Sequence, residues 1–259
     1  MHSLVFDIET VPDVDFGRRY YDLDGLSDED VAQVMFNHQR QQQGPEFLPL
    51  HQHRVVAISV LLRSRGDLRL WSLGDADADD EAELIRRFYD GLDRYSPDLV
   101  SWNGSGFDLP VMHYRGLRHR VSAPRYWETG ESDQSFRWNN YLNRFHYRHL
   151  DLMDVLSGYQ ARGRARLDEV AVLLGFPGKL GMSGAMVWDR YREGGLLEIR
   201  NYCETDVINT YLVYLRFELM RGRLDEAEHA RECERVADLL RNSEEDHLRA
   251  FLNAWEAAR

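Results

Sequence analysis

Apolar stretches along the chain predict five β-strands. The strongest runs from His53 to Arg63, where apolar residues are nearly continuous, as in a central strand that is buried on both faces. A turn at Arg65-Gly66-Asp67 joins this strand to residues 68–73, which predicts a hairpin. Three shorter strands are predicted over residues 4–6, 98–102 and 148–153.

Apolar residues at helical spacing predict helices between and after these strands. One helix begins at Ser27, a favourable N-cap followed by three acids, and ends at Gly44-Pro45. It belongs to an insertion over about residues 13–53 that we expect to flank or cover a site. Further helices are predicted after Glu83, after Asp108, over 167–174, over about 196–220, and along the charged tail from residue 225. Early strands followed by alternating strands and helices predict an α/β fold, a mixed sheet with helices on both faces.

Composition narrows the class of protein. A chain of 259 residues with 43% hydrophobic content can bury a real core, which argues against global disorder. No apolar run approaches the ~20 residues that span a bilayer, and no basic segment leads into an apolar one at the N-terminus. With only two cysteines, Cys203 and Cys233, far apart in the chain, we expect a reducing, cytoplasmic setting without membrane contact.

The net charge of −12 argues against a protein that grips duplex nucleic acid over a broad surface. It is compatible with an enzyme that takes a strand end into a small metal site, because bound cations offset local negative charge.

Two acids, Asp7 and Glu9, stand two positions apart on the first predicted strand. In a strand, residues at this spacing point to the same face. Like charges so close destabilise each other unless a cation lies between them, and a divalent ion with hard oxygen ligands would meet that need. Taken alone, such a pair more often marks a strand that ends in an acidic loop.

Two other stretches carry candidate carboxylates. On the long helix, Tyr202 and Asp206 are one turn apart and share a face, and Asp206 lies within the apolar stripe. In the stretch from Trp102 to Asp108, two glycines permit a tight loop after a strand. Each acid has a structural alternative, since Asp206 could pair with an arginine and Asp108 could cap the next helix.

Taken together, the motifs Phe6-Asp-Ile-Glu-Thr10, Asn103-Gly-Ser-Gly-Phe-Asp108 and Tyr202-Cys-Glu-Thr-Asp206 resemble those of the DEDD 3′–5′ exonucleases, in the subgroup with tyrosine in the last motif. More closely, the chain is similar to the predicted 3′–5′ exonuclease family related to the proofreading domain of family B DNA polymerases. Gly178-Lys-Leu-Gly-Met-Ser-Gly184 and the continuation to Tyr211 add to the resemblance, which covers residues 3 to about 224. It implies a ribonuclease H-like fold, with a mixed five-stranded sheet flanked by helices.

The resemblance also implies a two-metal mechanism. The four acids would hold two Mg²⁺ or Mn²⁺ ions ~4 Å apart: Asp7, Glu9, Asp108 and Asp206. Tyr202 would orient the attacking water with Glu9, because a phenol with an ordinary pKa of about 10 is protonated at neutral pH.

Substrate contacts are predicted for three residues. Asn103 could contact a nucleotide or close its loop, and Phe107 could stack on a base or pack in the core. Lys179 could bind a phosphate. The arginines at 162, 164 and 166 could do the same or lie in a solvated loop. Asp151 could support the metal site or be a buried, hydrogen-bonded acid.

We therefore expect an exonuclease domain over residues 1–224 and a helical extension over 225–259. The expected activity is metal-dependent hydrolysis of the 3′ ends of single-stranded nucleic acid, DNA in preference to RNA, with a role in DNA repair. The alternatives are a non-catalytic nucleic-acid-binding or scaffold protein on the same fold, and an oligoribonuclease-like phosphodiesterase. The terminal helix could mediate a homodimer or a partner contact, or pack on the domain.

Overall fold

A five-stranded sheet forms the centre of the molecule. The structure, a computed structural model, describes residues 2–44, 47–75 and 79–258. The strands are β1 (His2–Pro12), β2 (His53–Ser64), β3 (Asp67–Ser72), β4 (Asp98–Ser101) and β5 (His149–Asp151), in the order β3-β2-β1-β4-β5. β1 is antiparallel to β2 and parallel to β4, β2 and β3 form the predicted hairpin, and β4 and β5 are parallel. This order confirms the predicted ribonuclease H-like mixed sheet.

β1 is the central strand and is buried along most of its length. Its register with β2 shifts between Glu9 and Thr10, which marks a β-bulge. Bulges bend a strand and re-aim its side chains, and they occur often beside functional sites. Here the irregularity follows directly after the two acids of β1.

Ten α-helices are present in the described residues. They are α1 (Val14–Tyr20), α2 (Asp28–Gln43), α3 (Glu81–Tyr95), α4 (Asp108–His119), α5 (Leu152–Leu156), α6 (Leu167–Leu173), α7 (Val187–Arg192), α8 (Leu196–Met220), α9 (Glu226–Arg241) and α10 (Asp246–Ala257). α3 and α4 share an apolar cluster with one face of the sheet, whereas α6, α8, α9 and α10 cover the other face. Among the described residues, none of these helices combines the length and the apolar character that crossing a bilayer requires.

The insertion forms a small helical unit. The hydroxyl of Ser27 accepts a hydrogen bond from Asp30 N at 3.1 Å, which confirms the predicted N-cap of α2. Gly44, with φ of 88°, ends the helix as expected, whereas Pro45 lies outside the described residues. Val31 and Met35 are completely buried and pack with residues of α1, so the unit has its own apolar centre.

Several predicted elements differ in length from those observed, β5 and the charged tail among them. β5 ends at Asp151 instead of residue 153, because the Asp151 carboxylate accepts a hydrogen bond from Asp154 N and starts α5. The charged tail forms α9 and α10 in place of one continuous helix. Their apolar residues, among them Leu240 and Phe251 at 0% exposure, pack in the same cluster as α8. The predicted domain boundary at residue 224 stays a prediction.

Candidate active site

β1 presents its two acids to α8. Alternation along β1 directs Val5, Asp7 and Glu9 to the face on which Val5 joins the cluster with α8. Asp7 pairs across the sheet with Ser59 of β2, and Glu9 is buried at 8% exposure. Because the strand is central, both carboxylates are withdrawn from bulk water.

α8 supplies a tyrosine and a third acid one helical turn apart. Tyr202 and Asp206 are both buried on the side of α8 that faces β1, and the Tyr202 hydroxyl lies close enough to the Asp206 carboxylate to lower its pKa. Asp206 raises the pKa of Asp7 and of Glu9, and these two acids in turn raise the pKa of Tyr202. The alternative in which Asp206 pairs with an arginine is absent from the ion pairs of the described residues, whereas Lys179 lies close enough to lower its pKa.

Asp108 is fixed to β1 by a hydrogen bond. Its Oδ1 accepts from the backbone N–H of Ile8 at 3.2 Å, between the two acids of the strand. The alternative in which Asp108 caps its helix is wrong, since α4 begins at Asp108 and the N-cap residue is Phe107. The Asp108 side chain therefore points from the start of α4 towards β1.

Burial raises the pKa of every acid in the group, and repulsion from other acids of the group adds to it for Asp7 and Glu9. Burial is the largest cause throughout, and it raises the pKa of Asp108 to about 7 and that of Asp206 to about 6. The pKa values of Asp7 and Glu9 lie well above their ordinary range, first through burial and then through the other acids. A bound cation would favour the ionised form of these carboxyl groups, so the group is a candidate cation site.

Among the described residues, Asp7, Glu9 and Cys203 form a potential metal-binding group, whose ligand atoms all lie within 4.8 Å of one another. The thiol of Cys203 donates to the carbonyl of Asp7 at 3.3 Å and to its Oδ2 at 3.5 Å. Carboxylate oxygens suit Mg²⁺ and Mn²⁺, so the donor set fits the expected ions, with sulfur as an unexpected neighbour. Cys203 was not predicted as a site residue, although it directly follows Tyr202.

A row of polar side chains leads from Asp7 to the last helix. The Cys203 thiol contacts Ser59, whose hydroxyl lies 2.8 Å from that of Ser72. Ser72 donates to Glu204 at 2.6 Å, and the other oxygen of Glu204 lies 2.9 Å from Nε2 of His247 in α10. The row crosses β1, β2 and β3 beneath α8. Cys203 and Glu204 are neighbours on α8, and the first contacts Asp7 whereas the second contacts α10.

Lys179 lies beside the acids. Its Nζ is 5.5 Å from the centre of the Tyr202 ring, and its charge lowers the pKa of both Glu9 and Asp206. The preceding residue, Gly178, has φ of 66° and is held at both backbone groups by the Asn209 side chain. A fixed turn thus holds the one lysine of this group near the site.

The other two predicted substrate contacts have structural roles in the loop before α4. Asn103 has φ of 65°, and its carbonyl accepts from the N–H groups of Gly106 and Phe107, each at 2.9 Å. The Phe107 ring packs 5.2 Å from that of His53. Asp151 accepts from the N–H groups of Asn103 and Ser105, each at 2.9 Å, and also raises the pKa of Asp108.

The arginine loop is largely engaged in ion pairs. Arg164 donates to Asp154 at 2.9 Å, and Arg166 lies 3.2 Å from Asp168. Arg162 is exposed and donates to Gln160 at 3.1 Å. All three arginines are exposed, as expected for a solvated loop, although Arg164 and Arg166 also pair with acids.

One solved structure to which the chain is similar is the family B DNA polymerase from the hyperthermophilic archaeon Pyrobaculum calidifontis, with a TM-score of 0.49 and 17% sequence identity. The alignment covers 85% of this chain and 24% of the polymerase chain. No curated protein matches the sequence.

Residues 45–255 match a family described as predicted 3′–5′ exonucleases related to the exonuclease domain of PolB. The matched range includes Asp108, Tyr202 and Asp206 and begins after Asp7 and Glu9. Because it covers most of the sequence, the chain belongs to this family of predicted 3′–5′ exonucleases related to the exonuclease domain of PolB.

Proposed function

We propose that the protein is a metal-dependent 3′–5′ exonuclease that hydrolyses the terminal phosphodiester of single-stranded nucleic acid. The observation that carries this proposal is the group of four acids with raised pKa values from β1, α4 and α8, of which three are buried and Asp7 is partly buried. Such a group is costly for the fold, and bound divalent cations would offset that cost.

In the proposed reaction, Asp7, Glu9, Asp108 and Asp206 hold two Mg²⁺ or Mn²⁺ ions. When bound, these ions activate a water molecule and stabilise the leaving 3′ oxygen. Tyr202 orients the attacking water through its hydroxyl. Burial and the nearby acids raise the pKa of Tyr202, so the phenol stays protonated and positions the water without acting as its base. Lys179 neutralises an oxygen of the phosphate.

The preference for DNA and the role in DNA repair come from the family's relation to a polymerase domain. They remain predictions, as does a cytoplasmic location. Assembly through the C-terminal helices also remains a prediction, and since the apolar faces of α9 and α10 pack on α8, a dimer would have to use their polar faces.

The decisive experiment uses single strands of DNA and RNA labelled at the 5′ or the 3′ end. We expect Mg²⁺ or Mn²⁺ to support stepwise shortening from the 3′ end, and EDTA to abolish it. Asp7→Asn and Asp206→Asn should each lower turnover by at least about 10³-fold without loss of the fold.

Three outcomes would contradict the proposal. They are shortening from the 5′ end, no metal-dependent hydrolysis, and wild-type rates in either variant. Binding without hydrolysis would favour the scaffold alternative, and hydrolysis restricted to dinucleotides would favour the oligoribonuclease-like one.

A further inference from the structure

A cavity opens beside the loop that leads to Asp108. It has a volume of about 490 Å³ and lies between α4, the segment 126–144 and the start of α5. Ser105 and Gly106 of the loop form part of its wall. Gly106 is two residues from Asp108, so at most about 7 Å of extended chain separates this wall from the proposed metal site.

One wall of the cavity is aromatic. The Trp127 side chain is 52% exposed although it is large and apolar. Its ring is held by Tyr126, 5.2 Å away at 83°, and by the imidazole of His113, 4.9 Å away. An ordered, half-exposed indole is a ready platform for a base, because every nucleobase has a face that can stack on it.

The rim of the cavity carries two arginines. Nη2 of Arg144 and Nη2 of Arg164 each donate to the buried carboxylate of Asp154 at 2.9 Å. The two side chains remain 46% and 39% exposed. One carboxylate faces two guanidinium groups, so the three side chains together carry a net positive charge. The hydrogen bonds to Asp154 also hold both guanidinium groups in place. Guanidinium groups ordered in this way suit phosphate oxygens.

The lining of the cavity includes a histidine with an unpartnered ring nitrogen. Nε2 of His113 is buried and has no hydrogen-bond partner among the described residues. Burial lowers the pKa of His113 to about 4, so the imidazole is neutral at pH 7. A neutral ring nitrogen can exchange one hydrogen bond with the edge of a base.

We propose that this cavity binds one nucleotide of a single-stranded substrate, upstream of the 3′ end, with the base against Trp127 and a phosphate between Arg144 and Arg164. The inference rests on the proposed exonuclease function, and it assigns to the Asp108 loop a second role as a wall between the two sites. A stacked base and a paired phosphate would hold the strand while its end is hydrolysed. Neither contact selects a base, so the site tolerates any sequence.

The test compares a substrate that reaches the cavity with one that is too short to do so. We expect Trp127→Ala and Arg164→Gln each to raise KM for a 10-nucleotide single strand by about ten-fold, within the range expected for one lost stacking or phosphate contact. Hydrolysis of the p-nitrophenyl ester of thymidine 5′-monophosphate, which has a single nucleotide, should stay within about two-fold of wild type. Trp127→Phe should have a KM much closer to that of wild type than Trp127→Ala has.

The matched controls are Trp138→Ala, an exposed tryptophan outside the cavity, and Arg162→Ala, an arginine of the same loop outside the ion pair. Fluorescence anisotropy of a labelled 10-nucleotide strand in EDTA measures binding without turnover. If the cavity variants bind and turn over this strand as the controls do, the inference is wrong while the exonuclease proposal stands. If wild type hydrolyses neither substrate, the exonuclease proposal fails, and the anisotropy still decides whether the cavity binds the strand.

Discussion

Tyr202 illustrates how the surroundings of one side chain limit its chemistry. Its phenol is buried beside Asp206, Glu9 and Asp7, and burial first and these acids next raise its pKa. A phenol held in the protonated form can donate one hydrogen bond and accept another, which orients a water but does not deprotonate it.

Removing this hydroxyl should therefore slow catalysis and leave metal binding intact. We expect Tyr202→Phe to lower kcat by about 10²-fold, because a misplaced water reacts more slowly. The concentration of Mn²⁺ that gives half-maximal activity should stay unchanged. Tyr214→Phe, a buried tyrosine further along α8, is the control. If the kcat of Tyr202→Phe fell below that of wild type only at alkaline pH, the phenol of Tyr202 would instead act as a general base.

Asp108 and Asp206 should make the stability of the metal-free protein depend on pH. Their usual pKa is 3.8, and burial raises it to about 7 and about 6 in the folded chain. Since the folded-state values are higher, the stabilisation by the protonated acids is complete below about pH 4 and is lost as the pH rises through 6 and 7. In EDTA, the free energy of unfolding should fall by up to about 1.4 kcal/mol per pH unit for each titrating group.

Urea denaturation in EDTA at pH values between 5 and 8 measures how steeply the free energy of unfolding falls with pH. The expected slope is about 1.4 kcal/mol per pH unit for each titrating group. The double variant Asp108→Asn with Asp206→Asn should flatten the curve, and Mn²⁺ should stabilise wild type most at the upper end of the range. A wild-type curve as flat as that of the double variant would contradict the raised pKa values.

At the scale of elements, α4 is anchored by a buried ion network. Arg115 of α4 is 3% exposed and donates to Glu81 through Nε at 2.7 Å and through Nη2 at 2.5 Å, and it also pairs with Asp13. Asp13 follows β1, and Glu81 begins α3. The network therefore ties the helix that begins with Asp108 to the strand that carries the other acids.

Breaking this network should cost more than breaking an exposed pair on the same helix. We expect Arg115→Met to lower the free energy of unfolding by about 3–5 kcal/mol, because two buried carboxylates lose their partner. Arg118→Met should cost less than about 1 kcal/mol, since Arg118 contacts the same Asp13 from a side chain that is 34% exposed. Urea denaturation of both variants gives the comparison, and equal losses would show that the network does not anchor α4.

The elements with strong local signals could be predicted from the sequence. The apolar run of β2 and the capped ends of α2 were found because one stretch of chain contains the whole signal. The end of β5 was missed because the Asp151 side chain starts a helix there, which no apolar pattern records. The Arg115 network and the contact of Cys203 with Asp7 join residues far apart in sequence, so no local pattern could indicate them.

At the scale of the whole molecule, α9 and α10 complete the core over α8. Arg63 of β2 makes a two-point ion pair with Glu232 of α9, with both donor–acceptor distances at 2.7 Å. Val236, Leu240 and Phe251 are completely buried in the cluster with α8. The two helices therefore contribute to the same cooperative unit as the sheet.

A chain that ends at Leu224 should fold poorly. Each buried apolar side chain of α9 and α10 contributes about 1.5–3 kcal/mol, and several are lost together, against a typical total stability of about 5–15 kcal/mol. We expect the truncated protein to lose its cooperative thermal transition, whereas a chain that ends at Ala257 keeps it. Near-UV circular dichroism against temperature makes the comparison. A wild-type transition in the shorter chain would make residue 224 a domain boundary.

The contact between Cys203 and Asp7 joins residues that are 196 positions apart. During synthesis, β1 and its two acids leave the ribosome long before α8 exists, and domains fold as units once enough chain is available. The metal-binding group is therefore incomplete until the chain has been made through α8. A nascent chain of this protein holds the first half of its proposed catalytic centre without being able to use it.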